Sequence, residues 1–182
     1  MQTAVFFAPG FEEIEALTVV DVLRRASIDV LMVSITESRM VKGSHAISVE
    51  CDTLFDEADF KSVSMLILPG GMPGAAHLSK HEGLKALLKS FNDKKLPLAA
   101  ICAAPFILGD MNLLQGRRAV CFPGFEQHLS GATVSDEAVV VDKNILTAKG
   151  AGAAMLFAFE IVEFLRGKSI ADDLADKMIF AR

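Results

Sequence analysis

Apolar residues fall along this chain in two alternating rhythms: short continuous runs, and longer stretches spaced three and four residues apart. Gln2–Ala8 is an apolar run closed by Pro9-Gly10, which predicts a buried strand and then a turn. Glu13–Ala26 carries Leu17, Val19 or Val20, Leu23 and Ala26 at helical spacing. Val30–Ile35 predicts the next strand, and Met40–Glu50, alternating around Gly43, a small hairpin. Ser64–Leu68 predicts a third core strand that stops at Pro69-Gly70-Gly71. Glu82–Phe91 has the helical set Leu84, Leu87, Leu88 and Phe91. Leu96–Ile101 is a fourth core strand with Cys102 at its end, and Ala103–Met111 a helix that starts near Pro105, where proline is tolerated in a first turn. Ala119–Phe122, Ala138–Val141 and Ile145–Ala148 are short strand candidates. Ala153–Leu165 reads as an apolar helix stopped by Gly167, and Ile170–Ile179 as a terminal helix.

Strands that are continuous apolar runs, separated by helices, predict an α/β fold: a doubly wound, mostly parallel sheet of about six or seven strands with helices on both faces. Residues 1–182 show no repeat, linker or low-complexity stretch, so a single domain is expected. Such a sheet carries its functional loops at the carboxyl ends of its strands. Three of these ends stand out: Pro9–Glu15, Pro69–Gly74 and Cys102–Pro105.

Composition narrows the classes. The chain is 52% hydrophobic, too apolar for disorder, yet no apolar run reaches the roughly 18–20 residues that cross a bilayer. The start, MQTAVFFAPG, lacks the basic region of a signal peptide. A net charge of −5 with mixed signs argues against a specific nucleic-acid site. The three cysteines, Cys51, Cys102 and Cys121, form neither a disulfide framework nor a C-x-x-C pair, which points to a reducing, cytoplasmic setting.

The chemistry concentrates in three segments. Cys102 sits between a buried strand and a helix, flanked by Ala99-Ala100-Ile101 and Ala103-Ala104-Pro105. A sharp strand–turn–helix elbow needs small neighbours, and the helix N-terminus behind it favours a thiolate. The alternative is a buried cysteine that packs as a small hydrophobe. Gly70 and Gly71, at the next strand end, let backbone N–H groups approach a ligand as an oxyanion hole, or form only a tight turn. Glu12 and Glu13 read as first-turn acids that complement the helix dipole. Glu15 is offset from Glu12 by about 300° and from Glu13 by about 200° on the 3.6-residue period, so it need not share their exposed face. Pointed inward, it becomes a buried carboxyl with a raised pKa beside a thiol. Burial should raise the acid while the helix terminus lowers the thiol below its reference of about 8.5.

Other candidates read as structural. Gly150-Ala151-Gly152 follows a strand but lacks the third glycine of a dinucleotide fingerprint and reads as a tight turn. Cys51 and Cys121 read as passive. His77 and His81 have no carboxylate spacing that suggests a metal, and no metal or other cofactor is expected.

Together the segments Pro9–Ala16 (PGFEEIEA), Leu68–Ala75 (LPGGMPGA), Ala99–Pro105 (AAICAAP) and Leu146–Ala154 (LTAKGAGAA) resemble the DJ-1/ThiJ/PfpI superfamily, in its small DJ-1-like branch. The resemblance runs nearly the whole length and implies a flavodoxin-like, class I glutamine-amidotransferase-like fold. It implies Cys102 as nucleophile, Glu15 as the acid bonded to it, and Gly71 and Ala103 as backbone donors. Gly70, Arg25 and Phe122 are substrate-side candidates, and Arg24 and Arg25 mark the site and a homodimer interface around Val19–Arg25. Two departures follow. Phe122 stands where many relatives carry histidine before the proline matching Pro123, and Ala103 stands where the protease branch has histidine, which disfavours a cysteine–histidine protease. His128 is a possible substitute, and His45 falls where some relatives have a basic residue.

The resemblance implies a cofactor-independent glyoxalase III or protein deglycase acting on methylglyoxal, glyoxal or their early adducts. The alternative is a redox-sensing or chaperone-like stress protein whose Cys102 is oxidised to a sulfinic acid. A role in thiamine thiazole-phosphate synthesis ranks last, since no residue suggests a phosphate site. An amidotransferase would need a histidine–glutamate pair after the nucleophile that this chain lacks.

Overall fold

Strand β1 (Gln2–Phe7) turns its side chains alternately to two faces, and both faces are buried, so no polar alternation survives in the sequence. The computed structural model describes residues 1–182. In chain order β1 is followed by α1 (Glu13–Arg25), β2 (Asp29–Ser34), the hairpin β3 (Met40–Lys42) and β4 (Ser48–Glu50), β5 (Thr53–Leu54), β6 (Val63–Leu68), α2 (Gly74–Lys80), α3 (Glu82–Asp93) and β7 (Leu98–Ile101). Then come α4 (Pro105–Asp110), β8 (Arg118–Ala119), β9 (Thr133–Val134), β10 (Val139–Asp142), β11 (Ile145–Ala148), α5 (Ala154–Arg166) and α6 (Lys168–Lys177).

Seven strands form one sheet in the order β10-β11-β7-β6-β1-β2-β5. Every neighbouring pair is parallel except β10 with β11. This is the doubly wound, mostly parallel α/β fold that the alternation predicts. Val5, Phe7, Met65, Ile67, Ala99 and Ile101 pack on one side with α1, α5 and α6. Ala4, Phe6, Leu66, Leu68, Leu98 and Ala100 pack on the other with α2, α3 and α4. No helix is long and apolar enough to cross a membrane.

Some details depart from the expected pattern. Helix α2 has no expectation behind it, because Gly74–Lys80 offers one large apolar residue, Leu78, and no stripe. It is tied instead to the loop after β1, where the Gly74 N–H donates to the Gly10 carbonyl at 3.2 Å. The strand expected over Ala119–Phe122 shrinks to Arg118–Ala119, paired with β9. Gly167 ends α5 at φ +89°, as expected.

The chain leaves β1 towards β2 on one side and towards β6 and β7 on the other, which makes the β1–β6 boundary a topological switch point. The loops after β1, β6, β7 and β11 meet at this carboxyl edge.

Candidate active site

Cys102 follows β7 at φ +64°, in the left-handed region that a cysteine rarely adopts. Its N–H donates to the Ala148 carbonyl of β11 and its carbonyl accepts from the Phe122 N–H, both at 2.8 Å, so the strained turn is fixed from both sides. Small residues are required around it. A Cβ on Gly70 would lie 2.6 Å from the Cys102 Cβ and 2.7 Å from Glu15 Oε2, so no side chain fits there. Gly71 takes φ +86° against the backbone of Gly10–Glu12. The Gly71 and Ala103 N–H groups both reach the Cys102 sulfur.

Glu15 comes from the first turn of α1 and is 0% exposed. The inward reading of its position is therefore the observed one. Its Oε2 accepts from the Gly70 N–H at 2.8 Å, while Oε1 is the single buried side-chain oxygen or nitrogen with no hydrogen-bond partner. Burial raises this carboxyl to about 7, against the pull of the Cys102 thiol and the Gly70 N–H.

The thiol departs from expectation. Burial, then the negative charge of Glu15 and its contact with the sulfur, push Cys102 up to about 12. The Gly71 and Ala103 N–H groups pull it down, but they do not outweigh burial beside a carboxylate. The expected drop below the reference value is overturned: Cys102 rests as a thiol, and Glu15 gives up its proton at about 7, well before the sulfur does.

Several candidates lie elsewhere. Arg25 sits at the far end of α1, ten residues and about 15 Å of helix rise beyond Glu15. There it pairs with Asp21 at 2.7 Å on the exposed face, so its substrate-side assignment is withdrawn. Arg24 pairs with Asp52 at 3.2 Å. Val19, Val20, Val22 and Leu23 face the core, so that stretch of α1 offers no free apolar face to a second copy. His128 pairs with Asp110 at 3.1 Å, at the end of α4 away from the elbow.

Glu13 is not a surface acid either. At 4% exposed, it accepts from the His45 N–H at 2.7 Å and the Ser44 hydroxyl at 3.1 Å, and it meets His45 Nδ1 at 3.0 Å, pinning the β3–β4 loop to α1. Burial opposes its charge, but hydrogen bonds from His45 and Ser44 hold it at about 2. His45 is raised chiefly by its bond to Glu13 and belongs to this clasp. Cys51 and Cys121 are buried, raised by burial to about 12 and about 11.

Sequence reasoning missed one contributor. A Cβ on Gly150 would lie 3.3 Å from the Phe122 ring and 3.8 Å from the Cys102 sulfur, so the loop after β11 forms a wall of the site. Its signal was present: a Gly-x-Gly stretch at the carboxyl end of a core strand, the same edge as the other three loops.

The sequence profile of the DJ-1/PfpI family matches residues 1–164. Protein dj-1beta of Drosophila melanogaster is 32% identical over 179 residues, covering 97% of this chain and 96% of that protein. A protein named a deglycase in Pyrococcus abyssi is 29% identical over 168 residues, covering 91% of this chain and 100% of that protein. The chain spans only 38% and 44% of the length of the Arabidopsis thaliana DJ-1 homologs B and A, at 35% and 36% identity over 92% and 93% of its own. The structure of oxidized Toxoplasma gondii DJ-1 superposes with a TM-score of 0.95 at 32% identity, covering 100% of this chain and 99% of that one. A strained cysteine elbow, a buried glutamate beneath it and paired glycines at the next strand end thus occur within a family match over most of the sequence: the chain belongs to the DJ-1/PfpI family.

Proposed function

We propose that the chain is a cofactor-independent cysteine enzyme of the glyoxalase III or protein deglycase type, acting on small reactive aldehydes or their early adducts. The observation that carries this reading is the buried Glu15 carboxyl, raised to about 7 and with Oε1 unpartnered, beside the Cys102 sulfur. An acid poised near neutral pH gives and takes protons with equal ease.

In the proposed reaction the Cys102 sulfur adds to the aldehyde carbon and its proton passes to the Glu15 carboxylate. The former carbonyl oxygen takes up negative charge opposite the Gly71 and Ala103 N–H groups, then takes the proton back from Glu15, giving a hemithioacetal and restoring the carboxylate. Glu15 next takes the hydrogen of the former aldehyde carbon as a proton and delivers it to the neighbouring carbonyl carbon, while the hydroxyl proton passes from the first oxygen to the second, so that the enediol collapses to a thioester. Water hydrolyses the thioester to a hydroxy acid and frees the thiol. One methylglyoxal and one water thus give one lactate, and glyoxal gives glycolate. The raised thiol suits this route, because the nucleophile forms as its proton moves to Glu15. The test is lactate formation from methylglyoxal by purified protein in thiol-free buffer. Many turnovers per chain are expected, and a yield of one equivalent or less rejects the reading.

The same orphan oxygen supports a second reading, in which peroxide oxidises Cys102 through the sulfenic to the sulfinic acid and protonated Glu15 bonds the sulfinate. Slow turnover with ready sulfinate formation in mass spectra favours it.

A homodimer belongs to the same proposal, with its surface moved from Val19–Arg25 to the start of α1. There Ile14 is exposed, as are Ile47, whose N–H approaches the Glu13 carboxylate, and Met72 in the loop after β6. Light scattering at micromolar concentration is expected to give twice the chain mass, and a monomer mass rejects the dimer.

A further inference from the structure

Beside the elbow lies a cavity of about 640 Å3 whose wall includes Phe122, Pro123, Gly150, Leu156 and Phe180. Cys102 is not itself part of that wall, but the cavity and the nucleophile meet at Gly150, where a Cβ would lie 3.3 Å from the Phe122 ring and 3.8 Å from the Cys102 sulfur. Phe122 is 47% exposed, an aromatic face left partly open at the mouth. The one charged side chain on the wall, Lys149, donates from Nζ to the Asp136 carbonyl at 2.6 Å. A small dialdehyde such as glyoxal leaves these apolar surfaces in water, whereas an aromatic or branched apolar substituent covers them.

We propose that Phe122, with Leu156 and Phe180, makes this a site selective for 2-oxoaldehydes and related electrophiles that carry an apolar, preferably aromatic, substituent next to the reacting carbon. This deepens the proposed activity and rests on it for the substrate. The pocket itself is a property of the fold and is tested separately. The Phe122 N–H fixes the elbow through the Cys102 carbonyl at 2.8 Å, so the backbone anchors residue 122 next to residue 102 whatever occupies the cavity. Substrate addition follows the steps given above, with no other reactant.

The experiment has two arms. In the first, the rate of Cys102 alkylation, read by peptide mass spectrometry, is compared for iodoacetanilide and iodoacetamide, each divided by its rate with N-acetylcysteine. Both reagents form one S–C bond at the same iodomethylene carbon and release iodide and the thiol proton, so the ratio isolates the contribution of the ring. About a tenfold preference for the anilide is expected in the unaltered protein, falling towards one in Phe122→Ala and in Leu156→Ala. A ratio near one in the unaltered protein overturns the proposal and needs no variant that must fold. A preference that survives both substitutions also overturns it. The second arm compares kcat/KM for phenylglyoxal and glyoxal. Turnover of both without preference for phenylglyoxal defeats the selectivity. Turnover of neither defeats the proposed activity and leaves the alkylation ratio to judge the pocket.

Discussion

Cys102→Ser is expected to abolish aldehyde turnover, by at least about 10³-fold, while far-ultraviolet circular dichroism and the thermal midpoint hold close to those of the unaltered protein. Serine has nearly the size of cysteine and meets the same left-handed backbone at φ +64°, so the turn and its bonds to Ala148 and Phe122 persist. The hydroxyl, however, holds its proton far more tightly than a thiol, and a Glu15 carboxyl near 7 is too weak a base to remove it. Cys51→Ser and Cys121→Ser test the assignment from the other side. Each places a hydroxyl in a buried position at some cost in stability, yet the charge each thiol meets is Asp52 or Glu126 and not Glu15, so folded protein keeps most of its activity. A loss in either variant equal to that in Cys102→Ser identifies a different nucleophile.

The sheet was readable because burial on both faces forces nearly unbroken apolar runs, as in Ser64–Leu68 and Leu98–Ile101, and helices of ordinary amphipathic spacing separate them. The elbow was readable because no side chain fits at Gly70 against the Cys102 Cβ, and small residues, Ala103 and Ala104, follow the cysteine in the sequence. What escaped depends on contacts distant in sequence. Helix α2 has no stripe of its own and exists through the Gly10 loop. Glu13 looks like any first-turn acid until the β3–β4 loop closes over it and converts it to a clasp. Arg25 looked functional by its neighbourhood in sequence, but helix rise carries it away from the sheet edge. The thiol was misjudged because a helix N-terminus is a local feature, while the burial that outweighs it is set by the whole fold and the Glu15 charge comes from α1, distant in sequence.

Glu15→Gln is expected to stabilise the protein while disabling it, with opposite pH dependences for the two effects. In the folded chain the Glu15 carboxyl titrates at about 7 instead of 4.5, so the folded state binds this proton more tightly than the unfolded state does. A group shifted upward contributes its full stability below pH 4.5 and loses it as the pH rises through about 7. At pH 8 the unaltered protein therefore carries an ionised, buried carboxylate at a cost of about 3 kcal/mol. Glutamine keeps an acceptor for the Gly70 N–H and has no charge to desolvate. The variant should gain up to about 3 kcal/mol over the unaltered protein in denaturant titrations at pH 8, and little or nothing at pH 4. Activity should move the other way. Removing the proton carrier lowers turnover by about 10²–10⁴-fold, and the limb of the pH–rate profile near pH 7 disappears. If Glu15 were only a helix residue, its replacement would shift stability by about 0.3–1 kcal/mol at most and leave the profile in place. A stability difference that stays flat from pH 4 to pH 8 would falsify the buried, protonated acid, and an unchanged pH–rate limb would remove Glu15 from the reaction even if the stability gain were found.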